Sequence, residues 1–164
     1  MKIGVISDTH LLAAGCELPA KLVRELKACG LIVHAGDLVD ACVLDLLDTI
    51  SAKVQAVRGN MDTENVKSRL ETKKILTVEG KKICVMHGYG RPDKLVGILK
   101  NEFFSEKPDI IIFGHSHVPF NEYIDGVLFF NPGSVTDTVF APYRSYGIID
   151  IDKDGAIKAE IRRL

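Results

Sequence analysis

Five short apolar runs, each closed by a glycine or by a side chain able to ligate a metal, constrain this chain more than any other feature. Residues 2–7 run into Ser7-Asp8-Thr9-His10, and residues 31–35 into Gly36-Asp37. Residues 53–57 run into Arg58-Gly59-Asn60, residues 82–86 into His87-Gly88, and residues 110–113 into Gly114-His115-Ser116-His117. Runs this short and this rich in Ile and Val read as buried strands. In an open α/β sheet the ligand crevice lies just past such strand ends.

The segments between the runs read as helices and turns. Leu18, Leu22, Val23 and Leu26 have helical spacing, so a helix begins near Leu18, and Gly30 is its stop signal. Asp40 is the expected cap of a helix over 41–50, apolar at Val43, Leu44, Leu46 and Leu47. Residues 63–72 are polar and read as a short helix or loop. Strands over 74–78 and 82–86 form a hairpin around Glu79-Gly80-Lys81. Pro92 and Asp93 start a helix reaching about Phe104, and Pro108 breaks the chain before the next strand. Hairpins follow over 120–124 and 127–130 around Asp125-Gly126, and over 145–151 and 156–161 around Lys153-Asp154-Gly155. Strands alternate with helices first and then run as hairpins, which predicts two packed sheets with helices outside.

A chain of 164 residues fits one domain, taken as 1–164. Hydrophobic residues make up 46%, enough for a core and too many for a disordered chain. The 21 Lys and Arg nearly balance 22 Asp and Glu, for a net charge of −1. That excludes an extended nucleic-acid surface, and no basic run suits an anionic membrane. No apolar stretch approaches a membrane span. Met1-Lys2-Ile3-Gly4 enters a strand without a signal-peptide pattern. Cys16, Cys29, Cys42 and Cys84 are scattered, so all four are expected as reduced thiols in a cytoplasmic protein, with Cys84 as core filler.

Seven residues at the strand ends are candidate metal ligands: Asp8, His10, Asp37, Asn60, His87, His115 and His117. Imidazole suits zinc, manganese or iron. A carboxamide oxygen ligates a hard metal while its amide hydrogens contact a phosphate oxygen. Each residue has a plainer reading: Asp8 as a helix cap, Asn60 as a turn residue, the His115/His117 pair as polar loop residues. The recurrence at successive strand ends favours ligation, and seven such groups suit two ions sharing a carboxylate rather than one. His34 lies inside an apolar run and reads better as a core or supporting histidine. Asn131-Pro132-Gly133-Ser134 is either a simple turn or a support for the histidine loops. Arg58 either steers an anionic substrate or makes a surface salt bridge. Lys73, Lys74, Lys81 and Lys82 read as a solvated hairpin face. Residues 128–130 and Phe140 are candidates for self-association.

With these motifs in view, the chain resembles the calcineurin-like metallophosphoesterases, and within them the small bacterial and archaeal phosphodiesterase group related to the Vps29 retromer subunit. The resemblance spans essentially the whole chain and rests on Ser7-Asp8-Thr9-His10, His34-Ala35-Gly36-Asp37, Arg58-Gly59-Asn60, Met86-His87-Gly88, Gly114-His115-Ser116-His117 and Asn131-Pro132-Gly133-Ser134. It implies a four-layer α/β/β/α sandwich of two mixed sheets flanked by helices. It implies that Asp8, His10 and His117 hold one divalent ion, that Asn60, His87 and His115 hold a second, and that Asp37 bridges them. Manganese is the expected metal, with nickel, iron or zinc as alternatives. One departure stands out: many relatives carry a histidine after the Gly-Asn pair, whereas Met61 and Asp62 stand here.

The expected chemistry is hydrolysis of a small phosphoester, with in-line attack by a metal-bridging hydroxide, Asp37 and Asn60 acting at the reacting centre. Lacking the usual general acid, worth about 10²–10⁴-fold, such a site should favour diesters or activated esters. The competing expectation is a non-catalytic, Vps29-like protein-binding scaffold that retains a metal site.

Overall fold

The computed structural model describes residues 1–50 and 53–164. Its first sheet holds β1 (Lys2–Ile6), β2 (Leu31–His34), β3 (Lys53–Ala56), β9 (Ser145–Ile151) and β10 (Ile157–Arg163), in the order β10-β9-β1-β2-β3. The second holds β4 (Lys73–Val78), β5 (Lys81–Met86), β6 (Ile110–Ile112), β7 (Phe120–Ile124) and β8 (Val127–Asn131), in the order β4-β5-β6-β8-β7. Helices α1 (Ala20–Lys27), α2 (Cys42–Asp48), α3 (Glu64–Arg69) and α4 (Leu95–Glu102) complete the fold, which is the α/β arrangement of two mixed five-stranded sheets flanked by helices.

Register places the site. β1 and β2 run parallel with Val5 beside Val33 and Ile6 beside His34, and β3 continues with Ala56 beside His34. In the other sheet β5 and β6 run parallel with Val85 beside Ile112, and Ile112 pairs with Phe130 of β8. Parallel pairing brings the carboxyl ends of β1, β2 and β3 to one edge, and those of β5, β6 and β8 likewise. The facing sides supply one buried cluster that includes Val5, Val33, Val85, Ile112 and Phe130. Period-two alternation then turns Cys84, Met86 and Ile111 outward against Leu95, Leu99 and Phe103 around α4. On the other outer face, Ile6 and Ile32 meet Leu22, Leu26 and Leu47 of α1 and α2. Fully burying each such aliphatic side chain contributes roughly 1.5–3 kcal/mol.

Local departures from the sequence reading have physical causes. Pro19 delays α1 to Ala20. Asp40 does accept the Cys42 N–H, at 2.9 Å, in a turn that opens α2. The helix expected from Asp93 begins as a 3-10 turn over Pro92–Lys94 before α4. The four lysines of the β4–β5 hairpin are partnered rather than merely solvated: Lys73 with Glu102, Lys74 with Gln55, Lys81 with Asp109 and Lys82 with the Glu106 carbonyl. Leu128, Phe129 and Phe130 are buried in β8 and offer no surface for self-association, whereas Phe140 is 80% exposed.

The expectation of four reduced thiols needs correction. Cys16 and Cys42 form a disulfide across 6.3 Å between Cα atoms, while Cys29 and Cys84 are free and buried. The cysteines are 26 residues apart in sequence. Their meeting depends on the loop after β1 folding back beside the loop after β2, where Leu11 bridges Val39. Denatured without reductant, the protein should therefore expose the thiols of Cys29 and Cys84 alone to a thiol reagent, and reductant should add those of Cys16 and Cys42. Closing such a loop is typically worth about 2–4 kcal/mol, so a Cys16→Ser/Cys42→Ser variant should unfold at correspondingly lower urea.

Candidate metal centre

Asp8 sits at the middle of the strand-end cluster and is fully buried. Its Oδ1 lies 3.3 Å from His117 Nε2, 3.8 Å from His87 Nε2 and 3.9 Å from His10 Nε2. Asp37 Oδ2 lies 3.3 Å from His87 Nε2 and 3.6 Å from His10 Nε2. Donor atoms of Asp8, His10 and His117 form one group within 4.8 Å, and those of Asp8, Asp37 and His87 form another. Five of the seven predicted ligands therefore converge: Asp8, His10, Asp37, His87 and His117. Asn60 and His115 stand beside them. His115 Nδ1 meets Asn60 Oδ1 at 2.9 Å, and its ring centroid is 5.3 Å from that of His87.

Two buried polar atoms here lack a hydrogen-bond partner among the described residues, Asp8 Oδ1 and His87 Nε2. They face each other, and each is the atom a cation would use. His87 Nε2 also lies near Asp37 Oδ2, but without hydrogen-bond geometry. Leaving such atoms unsatisfied costs about 1–3 kcal/mol each, more when charged. A divalent cation answers both, so the residues present fit the metal the motifs implied.

The backbone shows how the ligands are aimed. Asp8, His10, Asp37, His115 and His117 all take left-handed conformations, with φ of 51°, 44°, 56°, 69° and 57°. Each costs on the order of 1–3 kcal/mol for a residue other than glycine. Close approach explains two of the glycines in the motifs. A Cβ on Gly114 would collide with Ser7 Oγ and the Asp8 carboxylate, and a Cβ on Gly59 would overlap the backbone and carboxylate of Asp37. The two sheets meet here: Gly114 N–H donates to the His87 carbonyl and His115 N–H to Asp8 Oδ2.

Each candidate ligand histidine except His10 has one ring nitrogen anchored, and His115 has both, on Asn60 Oδ1 and on the Gly90 carbonyl. His87 Nδ1 donates to the Ala35 carbonyl at 2.8 Å, which leaves Nε2 free toward the carboxylates. His34 behaves as a supporting residue, its Nε2 at 3.1 Å from Thr9 Oγ1 and its Nδ1 accepting the Gly36 N–H. Burial pushes it down to about 3, so it is neutral. Asn131-Pro132-Gly133-Ser134 is a support and more than a turn. Asn131 Nδ2 donates to the Gly114 carbonyl, and Ser134 Oγ to the Asp8 carbonyl at 2.6 Å.

Two buried or partly buried carboxylates that hold the loops of this cluster escaped the sequence reading. Asp62 is buried, and its oxygens accept Val39 N–H at 2.7 Å and Gly59 N–H at 2.6 Å, clamping the second and third strand-end loops together. The second is Asp137, 2.5 Å from His117 Nδ1. No motif announced it, since it lies 20 residues away from His117 in the chain. Arg58 makes no salt bridge among the described residues; its guanidinium donates to the Lys67 carbonyl at 3.3 Å.

Residues 1–154 match the calcineurin-like phosphoesterase superfamily domain, and the chain belongs to that family. A probable metallophosphoesterase of Methanocaldococcus jannaschii is 44% identical over 140 residues, spanning 83% of this chain and 69% of its own length. A phosphodiesterase of the same organism is 26% identical over 164 residues, spanning 93% of this chain and 95% of its own. Vps29 of Entamoeba histolytica, in a zinc complex, shares the fold, with a TM-score of 0.74 at 24% identity over 99% of both chains.

Charge coupling at the centre sets its pH response. Asp8 would be raised by burial, but the imidazoles of His10 and His117 crowded against its carboxylate outweigh that and hold it far below the usual carboxylate range. The Asp8 carboxylate beside it pushes His117 up to about 9 against its burial, with Asp137 adding to the shift. A histidine raised in the folded state contributes stability that is complete below about pH 6.5 and lost as pH rises through about 9. Urea unfolding in EDTA should therefore show a loss of roughly 3 kcal/mol between pH 6 and pH 10 that a His117→Ala variant lacks. Metal affinity should move the opposite way and rise over the same interval, because the ion displaces that proton.

Proposed function

We propose that this protein is a divalent-metal-dependent phosphodiesterase acting on a small phosphoester. The observation that carries the reading is the pair of unpartnered buried atoms, Asp8 Oδ1 and His87 Nε2, at the focus of strand ends from both sheets. In this reading Asp8, His10 and His117 hold one ion, Asn60, His87 and His115 hold the other, and Asp37 bridges. Manganese is the first metal to test, then nickel, iron and zinc. Two such ions would supply a nucleophile at neutral pH and positive charge for the phosphoryl oxygens.

The chain's own groups do the rest. Asp37 is anchored by the Met61 N–H on Oδ1 at 2.7 Å, which leaves Oδ2 toward His10 and His87. Asn60 is exposed at the rim, where its amide hydrogens can meet a phosphoryl oxygen. Arg58, beside His87 in a cavity of about 160 Å³, adds positive charge at the approach. Asp62 is no general acid here, because backbone N–H groups take both its oxygens. A leaving group must then depart without a dedicated proton donor, which favours diesters and activated esters.

Residues 1–164 are read as one domain of a cytoplasmic protein. No helix among the described residues is long and apolar enough to cross a membrane. The Cys16–Cys42 bond is the feature of the chain that sits least easily in a reducing compartment.

Metal-stripped protein should hydrolyse bis-p-nitrophenyl phosphate only after Mn²⁺ is restored, and Asp37→Asn should lower that rate by at least 10²-fold. A folded protein that binds the ions and turns over nothing would move the reading to a Vps29-like scaffold. The leaving-group argument has its own check: an aryl diester should outpace an alkyl monoester, and a wide preference for the monoester would sink it.

A further inference from the structure

The carboxylate of Asp137 sits where a second side chain must decide which nitrogen of His117 faces the metal. We propose that Asp137 is the positioning residue of the first metal subsite, holding His117 by Nδ1 so that Nε2 presents its lone pair beside Asp8 and His10. The proposal rests on the dinuclear reading above and names a group that no motif of the chain supplies.

Three observations carry it. Asp137 Oδ2 lies 2.5 Å from His117 Nδ1, while His117 Nε2 lies 3.3 Å from both Asp8 Oδ1 and His10 Nε2. A carboxylate on Nδ1 commits the proton there and frees Nε2. Asp137 is also held in place from its own side. Its N–H donates to Ser134 Oγ at 3.0 Å, and Ser134 Oγ donates to the Asp8 carbonyl at 2.6 Å. The contacts therefore form a closed ring, from the Asp8 backbone through Ser134, Asp137 and His117 back to the Asp8 side chain. Finally, the same carboxylate accepts the N–H groups of Val139 and Phe140 on Oδ1 and of Ala141 on Oδ2. These bonds leave it little freedom to turn away from His117.

A plain loop cap would make the same backbone bonds, so the test must separate the two roles. Asp137→Asn does so. Its amide oxygen can still accept from Val139 and Phe140, but its NH₂ then faces His117 Nδ1 and favours the proton on Nε2, the wrong nitrogen. Phe140→Ala, at an exposed position of the same segment, serves as the control. Calorimetric titration of metal-stripped protein with Mn²⁺ should resolve two binding steps in the wild type. Asp137→Asn should weaken one of them by about 10–100-fold and leave the other, and Phe140→Ala should leave both. In the Zn²⁺-loaded wild type, the His117 Nδ1–H proton should resonate far downfield and vanish in Asp137→Asn. Two wild-type steps in Asp137→Asn, or an equal weakening of both, would overturn the assignment and leave the metal centre standing. A wild type that takes up no ion would overturn the dinuclear reading and this assignment with it.

Discussion

A fully buried carboxylate, Asp8, is the constraint on which the rest of this molecule depends. Removing an ionised carboxylate from water is prohibitive unless charge and hydrogen bonds replace the solvent. Here the Oδ2 atom takes the His115 N–H, and Oδ1 looks onto the Nε2 atoms of His10, His87 and His117. Oδ1 and His87 Nε2 have no hydrogen-bond partner among the described residues. Left-handed backbone at Asp8, His10, Asp37, His115 and His117 stores local strain that the packed strands behind it sustain.

Those strands explain why the strain is affordable. Three parallel strands of one sheet and three of the other end at the same edge, and their aligned registers bring five loops into one space. The cluster shared by Val5, Val33, Val85, Ile112 and Phe130 fixes the two sheets relative to each other. Glycines at 59 and 114 then let one loop lie against the carboxylate of the next, where any Cβ would intrude. The site is thus a consequence of sheet packing.

Much of this was legible in the residues alone. Short Ile- and Val-rich runs identified the strands, and the polar residue closing each run identified Asp8, Asp37 and His87, because the end of a parallel strand is where a side chain leaves the core. His34 was legible as a support, since its place inside an apolar run demanded local partners, and Thr9 and Gly36 provide them. What was hidden depends on tertiary closure. Asp62 and Asp137 sit in loops with no periodicity, and their carboxylates act only because distant segments fold over them. The Cys16–Cys42 pair was hidden for the same reason, as was the burial of Leu128, Phe129 and Phe130 on the two faces of their strand.

The histidines show how one residue type is given separate tasks. His87 is oriented by a backbone carbonyl, Ala35, and His117 by a carboxylate, Asp137. A backbone carbonyl fixes the tautomer without adding charge, whereas a carboxylate also strengthens the ring as a donor to a cation. Asp8 reaches both groups of donor atoms, so its charge is shared between the two halves of the centre. The half containing His117 carries an additional negative charge from Asp137, and the half containing His87 and Asn60 does not. On the dinuclear reading proposed above, the two halves would be electrostatically unequal, and the more negative one should bind its ion more tightly. In that reading the more weakly held ion would lie beside Asn60, at the exposed rim where a phosphoester would approach.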